Sequence, residues 1–219
     1  MAQEALALRT FSGYGTVRLL EEAPGLLLLE RVLPGISLTS YFPFHEEESV
    51  FIVCELIKRL YQAPLPSSGV FPSVEDWLKI LDENNDIPFQ YLGKACSLKN
   101  ELLATMASPC LLHGDLHHDN ILQGRARWMA IDPKGVMGEP AYEAATFIRN
   151  PLKELIDHSN VDSIIQQRIK HFSQALPVKE KRLKEWCFVQ SVLAWAWALE
   201  DERKEKYFEK SAHFFYSIF

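Results

Sequence analysis

The sequence predicts an α+β fold in which a fragment of a small sheet precedes a larger, mainly helical lobe, and three observations carry that reading. Two strand-like runs, GTVRLLEE and GLLLLERV, fall within the first 33 residues. From residue 46 onward the apolar residues recur mostly at helical spacing. Between residues 110 and 134 the period shortens again to that of strands, and a polar cluster interrupts it.

Taken in order, QEALALRTF reads as a short helix, and Ala23-Pro24-Gly25 supplies the turn between the two strand-like runs. Gly13-Tyr14-Gly15 is a lone GxG between helix and strand, and a turn explains it better than a phosphate-binding loop. After the turn residues Pro34-Gly35, EEESVFIVCELIKRLYQ places Val50, Ile52, Val53, Leu56, Ile57 and Leu60 on one helical face and ends ahead of Pro64 and Pro66. APLPSSGVFPS reads as a surface loop. Ser73 followed by Asp76 has the pattern of a helix start, so VEDWLKILDEN and then FQYLGKACSLKNELLATM are expected helices. CLLHG, NILQG and RWMAID are the expected strands of a compact strand-loop-strand unit. Pro140 suits the first turn of a helix over PAYEAATFI. Helices are also expected over SIIQQRIKHFSQAL, KEKRLKEWCFVQSVLAWAWALEDE and KYFEKSAHFFYSIF.

Composition bounds the function. With 219 residues, 47% of them hydrophobic, the chain buries a sizeable core, and 24% charged residues argue against disorder. A net charge of −6 gives no general attraction for nucleic acid or an anionic membrane and suits a cationic ligand. The four cysteines form no CxxC pair, and the first residues lack a basic segment followed by an apolar one, so a reduced, cytoplasmic protein is expected. The most apolar stretch, CFVQSVLAWAWAL, contains Gln190 and falls short of the roughly 20 residues a membrane span requires.

The chemistry concentrates in LLHGDLHHDNILQGRARWMAIDPKG. Asp115 follows a turn, Asn120 stands five positions on at the start of NIL, and Asp132 closes RWMAI, so three oxygen-bearing side chains emerge from one small unit. Magnesium takes oxygen ligands and typically only one or two protein carboxylates. A further carboxylate nearby can accept a hydroxyl proton. The D-x-x-x-x-N spacing followed by another Asp matches the division of labour in phosphoryl transfer. His113, His117 and His118 offer the other reading, a zinc site, although a buried histidine hydrogen-bonded to the turn serves the pattern as well. Asp119 reads as a surface carboxylate or a substrate contact.

HGDLHHDNIL followed by AIDPKGVMGEPAYEAATFIRNP resembles the aminoglycoside phosphotransferase family of the protein-kinase-like superfamily, nearest to its streptomycin 6-kinase and hydroxyurea-resistance kinase branch. The resemblance implies a protein-kinase-like fold, with residues 1–33 as the remnant of a small nucleotide-binding lobe and hinge and residues 34–219 as the large lobe. It implies ATP and Mg²⁺ as cofactors, Asp115 as catalytic base, Asn120 and Asp132 as metal ligands, and the backbone of the hinge at Glu30 and Val32 as the adenine contact. Glu4 corresponds to the helix glutamate that pairs with a nucleotide-binding lysine. Family members carry that lysine, and a glycine-containing hairpin, ahead of the helix; this chain starts at the helix, and its first lysine is Lys58. Lys134 is the nearest candidate replacement in sequence, against a structural or substrate-side role.

The implied substrate is a small, cationic, hydroxylated compound such as streptomycin, phosphorylated on a hydroxyl. Glu139 and Glu143 are candidate contacts for its positive groups, or else helix-capping residues. The aromatic series from Trp186 to Tyr216 lines a ligand groove or packs the terminal helices. A kinase-derived module that binds such a ligand without turnover is the alternative to an enzyme.

Overall fold

The computed structural model describes residues 2–83, 86–106 and 108–218. Helix α1 (Ala2–Thr10) turns Ala5, Ala7 and Leu8 inward, and Phe11 follows them into the core. Gly13 and Gly15 both have positive φ, and the Gly15 carbonyl accepts from Ala130 N at 2.8 Å while Val17 N donates to Ala130 O at 2.9 Å. The GxG is therefore a turn that ties α1 to the strand-loop-strand unit.

Strands β1 (Leu19–Ala23) and β2 (Leu26–Leu29) form an antiparallel hairpin around Gly25. Strand β3 (Pro34–Ser37) follows, where the sequence suggested only a turn. Its proline is tolerated because β3 lies at the edge of its sheet. A 3-10 turn, Leu38–Tyr41, leads to α2 (Glu46–Leu60), which buries all six predicted apolar positions. Helix α3 (Val74–Leu78) begins at Ser73 with a reciprocal capping box to Asp76, and α4 (Phe89–Ala104) follows.

The strand unit comprises β4 (Cys110–Leu112), β5 (Ile121–Gly124), β6 (Trp128–Ala130) and β7 (Val136–Gly138). β5 is central in a three-stranded antiparallel sheet, β3-β5-β6, and β4 pairs with β7. Both pairings hold the ends of the polar loops. Helix α5 (Pro140–Ile148) starts on its proline, and α6 (Leu152–Ile156) and α7 (Val161–Ala175) follow. Helix α8 (Glu180–Glu200) is buried on nearly every side from Trp186 to Ala198, where it runs through the helical body, and α9 (Tyr207–Ser217) packs on it. Among the described residues no helix is long and apolar enough to cross a membrane.

Candidate active site

The site begins where β4 runs into His113-Gly114-Asp115. Gly114 has φ +86°, and a Cβ there would lie 2.8 Å from the Trp77 ring and 3.0 Å from Val136, so both conformation and space require glycine. His113 is fully buried, with Nε2 2.8 Å from Ile131 O and Nδ1 accepting from Asp115 N at 3.3 Å. These contacts describe a neutral ring, and burial pushes its pKa down to about 4. From α5, the buried Glu143 carboxylate accepts from His113 N at 2.6 Å and Gly114 N at 3.2 Å. Burial raises Glu143 to about 7 against the opposing pull of those N–H groups. The turn that presents Asp115 is thus clamped by an imidazole on one side and a carboxylate on the other.

Asp115 itself faces open space. Burial pushes its pKa upward, but the His117 ring 3.7 Å away, His113 and Lys134 outweigh that and hold the carboxyl below its ordinary value. It is a carboxylate at neutral pH. Asn120 donates from Nδ2 to Asp115 O at 2.9 Å, and its own carbonyl accepts from Ile131 N at 2.9 Å, which links the Asp115 loop to the residue before Asp132. His117 stands between Asp115 and Asp119, and Asp119 is braced by Thr39 Oγ1 at 2.7 Å. His118 turns inward and stacks on Phe147 with centroids 4.0 Å apart. The three histidines therefore diverge. Among the described residues no group of three His, Cys, Asp or Glu side chains could hold a metal ion, so the zinc reading has no site.

Asp132 has φ +56°, a conformation that aspartate tolerates better than most residues and that turns its carboxylate onto the same open space. Lys134 Nζ lies 2.6 Å from Asp132 Oδ2. Gln3 of α1 donates to Lys134 O at 3.0 Å and to Gly135 O at 2.8 Å, so the first helix is pinned to the Asp132 loop. Glu4, Asp115, His117, Asp132 and Lys134 line one cavity of about 950 Å³, together with Arg149, Trp197 and Asp201. Asn120 is largely buried and outside that lining, its Nδ2 bonded to the Asp115 carbonyl and its Oδ1 left over among the described residues. The carboxylate of Asp132 and the amide oxygen of Asn120 are hard oxygen donors of the kind magnesium takes, and they fit that ion better than a soft metal.

Not every expected residue joins them. Glu30 and Val32 line a separate hollow of about 290 Å³ with Gly124 and Met129, and the Glu30 carboxylate is bound by Arg18 at 2.9 Å. Glu139 is buried against Arg182 at 2.8 Å and the Trp186 indole N–H, and Glu143 is engaged as described. Neither glutamate lines the cavity, which corrects the expectation that they meet substrate; their oxygens are already satisfied inside the protein. The aromatic series divides: Trp186 and Phe215 are core, while Trp197 and Phe208 line the cavity. Arg149, at the end of α5, was not anticipated, because a residue just past a helix carries no periodic signal. Its Nε donates at 3.1 Å to the buried Gln190, which fixes the guanidinium beside the cavity.

The fold and the paired loops define a class, the protein-kinase-like small-molecule phosphotransferases. A crystal structure of choline kinase LicA from Streptococcus pneumoniae superimposes with a TM-score of 0.71 at 14% identity, covering 99% of this chain and 79% of that one. The thermostable mutant of aminoglycoside phosphotransferase APH(4)-Ia (D198A), in its ternary complex with ADP and hygromycin B, does so at 0.68, with 14% identity, 98% of this chain and 82% of that one. At such identities the likeness is one of fold. Residues 2–202 match the Aminoglycoside/hydroxyurea antibiotic resistance kinase family, and the chain belongs to that family. It is 30% identical over 200 residues to streptomycin 3''-kinase of Klebsiella pneumoniae, covering 87% of this chain and 73% of that protein. It is 28% identical over 212 residues to hydroxyurea phosphotransferase of Kitasatospora aureofaciens, covering 91% and 59% respectively. The streptomycin 6-kinase of Streptomyces glaucescens is 26% identical over 207 residues, covering 89% and 66%. The chain thus spans between 59% and 73% of the length of these relatives.

Proposed function

We propose that the protein transfers the γ-phosphoryl group of ATP to a hydroxyl of a small cationic compound of the streptomycin type. The observation that carries this is the placement of Asp115 and Asp132 on the wall of one cavity, with Asn120 hydrogen-bonded into the same loop. Asp115, ionised and held by the clamped turn, accepts the proton of the acceptor hydroxyl as its oxygen bonds to phosphorus. The bond from phosphorus to the bridging oxygen breaks, and ADP leaves. Asp132 and Asn120 would hold Mg²⁺, which supplies charge neutralisation for the phosphates when bound. The backbone at Glu30 and Val32 is proposed to receive the adenine. Family membership and the nucleotides in solved kinase-fold neighbours support that donor.

The cavity as a whole favours a cation. Its lining holds six carboxylates against four lysine and arginine side chains, and Trp197 is among its aromatic residues. Streptomycin phosphorylation, as in the relatives named streptomycin kinases, is therefore the first activity to measure. With ATP and Mg²⁺, the protein is expected to release ADP and phosphorylate at least one member of a panel of streptomycin, hygromycin B and hydroxyurea. The Asp115→Asn variant is expected to fold normally and to lose transfer by about 10²-fold or more. No phosphorylated product from any acceptor, or full turnover in the variant, would sink the assignment.

A further inference from the structure

Lys134 is the cation on the Asp132 side of the cavity, and the phosphoryl-transfer reading leaves it without a task. Its backbone is fixed on both sides: the N–H donates to His113 O at 2.8 Å, and the carbonyl accepts from Gln3. The following Gly135 has φ +69°, and a Cβ there would lie 2.7 Å from the Phe71 ring, so the loop is locked close against the core. The side chain is different. It is 43% exposed, and its bonding partner, the Asp132 carboxylate, is 45% exposed.

An ion pair as open as this adds little to stability, so folding alone does not account for an ammonium held at the cavity wall. Its position does have a consequence for binding. The carboxylate it contacts is the one that would hold Mg²⁺, an ion that would supply charge neutralisation for the phosphates. A ligand oxygen arriving beside Asp132 comes within reach of the same ammonium, and lysine binds phosphate as a compact point charge. Lys153 also lines the cavity, but from α6, an element separate from the Asp132 loop.

We propose that Lys134 is a nucleotide-contacting residue, exchanging its Asp132 partner for a phosphate oxygen of the bound triphosphate. The proposal rests on the phosphotransferase reading and assigns within it the cation that grips the phosphates. It also accounts for Gln3: the helix α1 side chain positions the backbone from which that cation reaches.

Calorimetric titration of the full chain with Mg-ATP and, separately, with adenosine tests it without requiring turnover. Lys134→Gln is expected to weaken Mg-ATP binding roughly ten- to a hundredfold, the range of a charge-assisted bond, and to leave adenosine affinity unchanged. Lys134→Arg, which keeps the charge, is expected to stay within a few-fold of the parent. Unaltered Mg-ATP affinity in Lys134→Gln overturns the inference alone. Equal loss of both ligands, or equal loss in both variants, overturns it in favour of a structural role. Failure of the parent protein to bind Mg-ATP at all overturns the phosphotransferase reading along with it.

Discussion

Glu143 and His113 flank the same backbone turn and titrate in opposite senses. Burial lowers His113 from 6.5 to about 4, so the folded protein lacks a proton that the unfolded chain carries, and stability from this residue is lost as pH falls through that interval. Burial raises Glu143 from 4.5 to about 7, so the folded protein keeps a proton that the unfolded chain has released, and stability is lost as pH rises through that interval. Between pH 4.5 and 6.5 the two slopes cancel. In Glu143→Gln only the histidine slope remains, and acidification from pH 6.5 to 4 is expected to remove about 3 kcal/mol more stability than in the parent. Urea denaturation at a series of pH values reads this directly; parallel profiles for the two proteins contradict it. At the adjacent position, Gly114→Ala must adopt φ +86° against Trp77 and Val136. A loss of about 1–3 kcal/mol is expected from the backbone conformation alone. Turnover is expected to fall with it, since the Asp115 N–H to His113 contact shifts, and a thermal melt beside an activity assay shows whether the two losses travel together. Asp115, Asn120 and Asp132 could be singled out in the sequence by residue type and spacing along a short segment, and the fold places Asp115 and Asp132 on one cavity with Asn120 bonded to the same loop. The task of Glu143 was not: a carboxylate in the first turn of a helix has the same pattern whether it meets solvent, substrate or the backbone of another loop.

The helical elements are joined to the Asp115–Asn120 loop by one buried cation. Arg168 of α7 is 1% exposed and binds the Glu46 carboxylate of α2 at 2.6 and 2.9 Å. It also donates to the Ile148 carbonyl at 3.0 Å and to the Asn150 carbonyl at the end of α5. Its second terminal nitrogen lies 3.4 Å from Nε2 of His118, within the Asp115–Asn120 loop. Arg168→Met leaves a largely buried carboxylate and several carbonyls without their donor, and a loss of about 3–5 kcal/mol is expected. Adding Glu46→Gln should cost less than the sum of the single changes, since the pair is one interaction; additive losses in a double-mutant cycle would show that Arg168 acts mainly on the carbonyls. At this scale the sequence was legible wherever an element was long enough to show a period, as with α2, α4, α7 and α8, or carried its own stop and start chemistry, as Ser73 and Asp76 do for α3. Strands β3 and β7 are short and hold Pro34, Gly35 and Gly138, residue types that signal turns, and they exist because neighbouring strands supply their hydrogen bonds. Helix α6, at five residues, was hidden for the same reason.

Across the whole molecule, the arrangement of the first 33 residues decides how it unfolds. Ala7 and Phe11 belong to the same apolar cluster as Leu56, Phe147 and Trp186, so α1 is part of the main core although it lies at the opposite end of the chain from α8. Among the described residues, none of the β1–β2 hairpin belongs to that cluster; Leu20, Leu26 and Leu28 are exposed, and the hairpin is held by its own ladder and by ion pairs such as Arg9 with Glu22 and Arg18 with Glu30. Sequence patterning placed helix and hairpin in one small unit because they are neighbours along the chain, and burial is a property of three-dimensional packing that adjacency does not report. A nine-residue helix has little stability of its own, and an isolated two-stranded hairpin is marginal in water. The helix is therefore expected to melt only with the core that covers it, and the hairpin to open locally at lower free energy. Calorimetry should show a single cooperative transition, because no second core exists among the described residues to support another. Hydrogen exchange should protect the amide of Phe11, bonded to Ala7 O, close to the global limit, while Leu26 to Leu29 exchange well before it. A separate early transition that abolishes protection at Phe11 would mean that α1 is loosely attached, and the Gln3 contacts to the Asp132 loop would then be too weak to hold Lys134 in place.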